Sequence, residues 1–187
     1  MKGILIMNDP KMVFPKIQSV VMILILFIIS FYSFASESNL QFDGALVSEP
    51  CNLDPNTTDI VVDFKSIVAK SLYKYNRSSS EVFTINLTDC DTSMSNMVSF
   101  TFKGAEDRSL PGLLAVNGTA KGIAIGLEYE DGTLLSLNQP TTQQALSDGV
   151  SEFTFRAYVA GEPEAVQKES MIMGQFNATA TFEMEYQ

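Results

Sequence analysis

Residues 174–186 alternate without a break. Phe176, Ala178, Ala180, Phe182, Met184 and Tyr186 fall on one side of an extended chain, and Gln175, Asn177, Thr179, Thr181, Glu183 and Glu185 on the other. A β-strand sends successive side chains to opposite faces, so this pattern predicts a strand with one buried and one wet face. A helix would scatter the same apolar residues around its circumference. Only Gln187 follows. The strand is therefore expected at a sheet edge, where it must find a neighbour, and that neighbour is the functional question.

The same period recurs upstream. Residues 38–47 alternate more weakly, with Gly44 in their middle; glycine there lowers strand propensity and marks close approach of another segment. Strands are expected over 58–64 (Ile60, Val62, Phe64), 71–75, 81–90 (Phe83, Ile85, Leu87), 96–103 (Val98, Phe100, Phe102), 122–129 (Ile123, Ile125, Leu127, Tyr129) and 152–160 (Phe153, Phe155, Ala157, Val159). Asp131-Gly132 is a hairpin signal between 122–129 and a strand over 133–137. Residues 161–170 read as a polar connection. No segment holds a 3.6-residue apolar period, so the expected fold is an all-β sandwich.

Residues 1–35 read as a secretory signal peptide. Lys2, Lys11 and Lys16 precede an unbroken apolar run over 20–29, and Ser33 and Ala35 place small residues before a cleavage site. A membrane-spanning helix needs roughly 17–25 apolar residues, and Ser30 and Ser33 interrupt this run too early. Loss of Lys2, Lys11, Lys16 and Asp9 with the leader takes the formal charge from −10 to −12. Such acidity opposes binding to nucleic acid or to anionic membrane surfaces. In an exported chain the two cysteines, Cys51 and Cys90, are expected to form one disulfide. Closing a loop of about 40 residues corresponds to about 4 kcal/mol of lost unfolded-state entropy. A catalytic thiol or a metal site is the alternative, but no histidine and no third cysteine accompany them.

The inventory opposes catalysis. Without histidine there is no Ser-His-Asp or Cys-His activation and no ordinary zinc site. No phosphate-cradling glycine loop occurs. The carboxylate pairs Asp89/Asp91, Glu128/Glu130 and Glu183/Glu185 are spaced for one strand face, which reads as a solvated face rather than a glycosidase pair. Asp54, Asp89 and Asp91 lie in no calcium-loop pattern. Sequons at Asn56, Asn76, Asn86, Asn117 and Asn177 are short motifs, and two of them fall in mid-strand. The expectation is no catalytic residue, no cofactor, no metal, no nucleic acid and no small-molecule substrate.

Four features then combine: a leader, an alternating N-terminal segment, a cysteine pair, and a closing alternating strand. The chain resembles the pilin subunits of bacterial chaperone–usher fimbriae, in the type 1 fimbrial family. The resemblance runs through Phe42-Asp43-Gly44-Ala45-Leu46-Val47 to Cys51, then 83–90, 98–104 and 174–187. It implies an incomplete immunoglobulin-like β-sandwich (the pilin fold) that lacks its last strand and is completed by a donor strand. The implied domains are a donor-strand extension over 36–47 and the sandwich over 48–187. The implied partners are a periplasmic pilus chaperone, which lends a strand, the outer-membrane usher, and neighbouring pilin subunits. The implied destination, through the periplasm, is a fimbria on the bacterial cell surface.

On this reading Ser38, Leu40, Phe42, Gly44 and Leu46 are the donor positions. Phe176, Ala178, Ala180, Phe182, Met184, Tyr186 and Gln187 form the acceptor groove and chaperone contact. The extension before Cys51 is short, which resembles minor tip-fibrillum adapter subunits more than a major shaft subunit. A shaft or terminator role, or a monomeric immunoglobulin-like binding module, is the alternative. Ser38 is smaller than the apolar residue that would best fill a groove.

Overall fold

Among the described residues, eleven strands carry the architecture. They are β1 Asn52–Leu53, β2 Glu81–Cys90, β3 Met97–Lys103, β4 Leu114–Ala115, β5 Asn117–Gly118, β6 Ile123–Tyr129, β7 Leu134–Leu135, β8 Gln144–Ala145, β9 Gly149–Gly161, β10 Phe176–Asn177 and β11 Thr181–Tyr186. Two short α-helices join them, α1 Ala69–Tyr75 and α2 Pro163–Gln167. The computed structural model describes Gln41, Phe42, Gly44 and residues 49–187. The chain divides into two units, Met1–Leu46 and Val47–Gln187, and all of these strands and helices belong to the second. Among the described residues no helix is long and apolar enough to cross a membrane.

One sheet has the order β1-β2-β9-β6-β4, with β7 also paired to β6; the other has the order β11-β3-β8; β10 pairs with β5. All pairings are antiparallel. The alternation sets the layers. Phe83 lies opposite Phe155 and Ile85 opposite Phe153 across β2–β9, so their side chains share the inner face. β3 supplies Val98, Phe100 and Phe102 from the facing sheet. Phe100 meets Phe153 at 5.0 Å and Phe155 at 5.4 Å between ring centroids, and Phe102 meets Phe155 at 5.1 Å. Burial of each such ring contributes on the order of 2–3 kcal/mol, with tilted and edge-on geometry adding to it.

A hairpin forms after β6 where Asp131-Gly132 predicts one, but its loop has three residues, 130–132, rather than the two expected, and the strand that follows is only Leu134–Leu135 rather than 133–137. Gly132 takes φ +87°, its N–H donates to the Tyr129 carbonyl at 3.0 Å, and the Tyr129 N–H donates to the Thr133 carbonyl at 2.9 Å. The Asp131 carboxylate accepts from the Thr133 N–H at 2.8 Å, which holds its pKa below the usual value.

Three expectations are corrected. Residues 71–75 form part of helix α1 rather than a strand. Its left-handed cap at Asn76, whose N–H donates to the Leu72 carbonyl, closes the helix. Residues 163–167 are helical within the expected polar connection, because Pro163 pre-sets the first turn and Glu164 complements its N–H groups. Residues 58–64 keep the alternation, with Ile60, Val62 and Phe64 half-buried and Val61 and Asp63 exposed, but they join no β-ladder.

A second, smaller cluster lies apart from the main core: Leu113, Ala124, Tyr158 and Ala160. Gly126 makes it possible, since a Cβ there would stand 2.2 Å from Cζ of Tyr158. The Arg77 guanidinium stacks on that ring at 3.5 Å. It also pairs at 2.8 Å with Glu128, only 3% exposed, whose carboxylate accepts from the Ser80 hydroxyl. Burial raises the Tyr158 pKa; Arg77 opposes the rise and Glu128 adds to it. Gly126→Ala is expected to displace Tyr158 and to cost about 1–3 kcal/mol, read as a lower thermal midpoint with a changed near-UV signal from the tyrosine.

Candidate strand-binding cleft

A cleft of about 1310 Å³ opens between two extended walls of the sandwich. One wall is residues 58–67 and the other is residues 171–184. Its floor is main-core surface, including Phe83, Phe102, Ile125, Leu127, Ala157 and Val159. Phe64 of one wall meets Phe176 of the other at 6.1 Å between ring centroids.

The second wall follows from the alternation of residues 174–186. Every even residue from Phe176 to Tyr186 is half-buried and every odd one from Asn177 to Gln187 is exposed. The expected continuous strand is split. β10 pairs with β5, β11 pairs with β3, and residues 178–180 join no ladder. Ala178 and Ala180 face the cleft at that break, so the wall recedes where it carries only methyl groups. β11 is the edge strand of its sheet, so its outer backbone groups have no ladder partner among the described residues.

Phe176, Ala178, Ala180, Phe182 and Met184 line the cleft. Tyr186 lies beyond them, half-buried, with its hydroxyl donating to the Met184 sulfur at 3.9 Å. Burial raises its pKa and the Glu49 carboxylate adds to the rise. Gln187 is held to the neighbouring strand instead. Its N–H donates to the Met97 carbonyl at 3.1 Å, and its own carbonyl accepts from the Met97 N–H at 3.3 Å and from the Ser95 hydroxyl at 2.5 Å. Cys51 and Cys90 are joined in a disulfide. Of the donor positions, Ser38, Leu40 and Leu46 lie outside the described residues. Phe42 and Gly44 are exposed.

The opposite wall was not legible as such. Ile60, Val62 and Phe64 read as one more strand; the signal available was their alternation, which does not say that the strand has no ladder, and Ile67, which also lines the cleft, lies outside it. Met171 and Met173 also line the cleft, and no periodicity marks them.

The cleft can bind an extended chain. Phe176 to Met184 spans about 26 Å at 3.3 Å per residue. A strand laid along it would gain the free edge of β11 for backbone hydrogen bonds and an apolar floor for alternate side chains. Among the described residues no group of acidic or cysteine side chains is placed to hold a metal ion.

Comparison with known proteins agrees with this geometry. The family model described as "Fimbrial protein" matches residues 40–187. The chain is 36% identical over 161 residues to the fimbrial adapter PapK of Escherichia coli, covering 81% of this chain and 89% of that one. It is 30% identical over 152 residues to the putative minor fimbrial subunit PmfF of Proteus mirabilis, covering 79% and 84%. The crystal structure of the P pilus rod subunit PapA superposes with a TM-score of 0.65 at 23% identity, covering 74% of this chain and all of that one, and so shares the fold. The alternating closing strand, the open sandwich and the cysteine pair are thus those of a pilin, and the chain belongs to the fimbrial protein family.

Proposed function

We propose that this chain is a non-catalytic structural subunit of an adhesive fimbria, and that its cleft is filled first by a strand from a periplasmic chaperone and then by the N-terminal segment of a neighbouring pilin at the usher. The observation that carries this reading is the cleft beside β11: a free strand edge above an apolar floor, with half-buried side chains at every second position. Residues 38–47 of each copy supply the donor strand to the next, with Leu40, Phe42 and Leu46 as plugs and Gly44 where the groove is shallow. An adapter position is supported by the likeness to an adapter and to a minor subunit.

Replacing Gly44 by Leu tests the assignment. The variant is expected to remain folded in complex with its chaperone and to be lost from assembled fibres, as read by immunoblot of the sheared surface fraction. Normal incorporation would overturn the donor assignment. Immunogold labelling then separates roles: label confined to fibre tips supports the adapter position, and label along the shaft supports a major subunit.

A further inference from the structure

β9 is 13 residues long, about 40 Å at 3.3 Å per residue, and its two ends carry opposite charge. At its start, Gly149 lies opposite Cys90, which is bonded to Cys51. The Asp91 N–H donates to the Pro50 carbonyl at 2.8 Å, and Asp148 accepts from the Thr92 N–H at 2.9 Å. The segments that meet here, 49–59, 87–97, 145–152 and 184–187, contain Asp and Glu but no Lys or Arg. At the far end of β9, the Gly161 N–H donates to the Asn76 carbonyl at 2.9 Å, and Lys121 bridges to Ile172. Residues 64–77 there contain Lys65, Lys70, Lys74 and Arg77 and no Asp or Glu. Arg77 is paired with Glu128, and Lys168 with Glu164. Lys65, Lys70, Lys74 and Lys121 make no ion pair among the described residues. Glu162 and Glu169 also lie at this end, so its excess of positive charge resides in α1 and the residues flanking it. Val68, Tyr75, Ile172 and Met173 add exposed apolar surface.

The cleft links these two ends. Met184 lines it near the acidic end, and Ala69 and Leu72 of α1 line it at the cationic end. A strand added antiparallel to β11, the stronger pairing, leaves the cleft beside α1. Val47 and Cys51 are four residues apart, about 13 Å when extended. The body of the donating copy, acidic end first, is therefore tethered next to Lys70 and Lys74. A parallel strand would instead bring acidic end to acidic end.

We propose that the cationic end built on α1 is a docking face for the acidic, disulfide-bearing end of a second copy of this chain, engaged alongside its donor segment. This rests on the strand-donation reading above. The contact directs insertion as well as holding it, since charge of this kind acts mainly on encounter and is screened beyond about 10 Å at 0.1 M salt.

The test follows assembly of the exported chain by light scattering at 20 and 500 mM NaCl, beside anisotropy of a labelled peptide of residues 38–47. The wild type is expected to assemble about tenfold faster at low salt. Lys70→Glu with Lys74→Glu, which brings residues 64–77 to zero net charge, should remove that advantage, and Glu49→Lys with Asp91→Lys, which halves the charge of the acidic end, should reduce it. Combining all four substitutions should recover part of it, because the exchanged side chains are again opposite in sign across the contact, although neither end as a whole changes sign. Peptide binding should be the same in every variant, since none of the four residues lines the cleft. Assembly by the paired variants at wild-type rate and salt dependence, with the peptide still bound, overturns the docking face alone. Failure of the wild type to bind the peptide overturns the strand-donation reading and the docking with it. If Lys70→Glu with Lys74→Glu abolishes adsorption to phosphatidylglycerol vesicles and leaves assembly unchanged, the lysines serve an anionic surface and the proposal falls.

Discussion

A peptide of residues 38–47, added at about a hundred times its dissociation constant, should stabilise the isolated domain by about 2.7 kcal/mol, or raise its thermal midpoint by roughly 10 °C. The gain arises where the fold is incomplete. The cleft-facing side chains from Phe176 to Met184 are only half-buried, and each large apolar plug placed against them adds roughly 1.5–3 kcal/mol before the entropy of ordering the peptide is subtracted. Ala180→Trp should abolish the gain. Its side chain would enter the space that the alanine leaves, at a position where no ladder bond is broken. Hydrogen exchange supplies an independent reading: amides of β11 and of residues 58–67 should gain protection on binding, while those of β2 and β9 change little. A domain that melts cooperatively at high temperature without peptide, and shows no shift with it, is a complete module and excludes the subunit reading.

Removing the disulfide should have a comparable effect of opposite sign. Cys51→Ser with Cys90→Ser is expected to cost about 2–5 kcal/mol, read as a lower denaturant midpoint with little change in slope. The structure shows why it should also weaken the cleft. β1 holds to β2 by only two register pairs, Asn52 with Thr88 and Leu53 with Leu87, and residues 58–67 beyond it join no ladder. The cystine anchors the start of that wall, so peptide affinity should fall together with stability. Phe100→Ala, in a fully buried position that does not line the cleft, should cost about 3–5 kcal/mol and leave affinity largely intact in the folded fraction. Equal loss of affinity in both variants would mean that the disulfide plays no special part in shaping the cleft.

The inner faces of β2, β3, β6 and β9 could be read from the sequence because burial against one core imposes a strict two-residue period, and Phe83, Ile85, Phe100, Phe155 and their neighbours obey it. Helix α1 could not: Ala69–Tyr75 is too short for a 3.6-residue period to show, and Leu72 is its one buried residue. The split of the closing strand was hidden for another reason. Alternation persists through residues 178–180, because an extended chain alternates whether or not its backbone is paired.

That difference separates what each level of description decides. The sequence alone determines that residues 174–186 are extended, with one apolar face, since side-chain direction along a strand depends only on local backbone geometry. Only the tertiary structure decides that residues 178–180 leave the ladder, that residues 58–67 stand across from β11 without one, and that the space between them is open. Hydrogen-bond partners and vacant volume are set by segments far apart in the chain, and no local pattern records them.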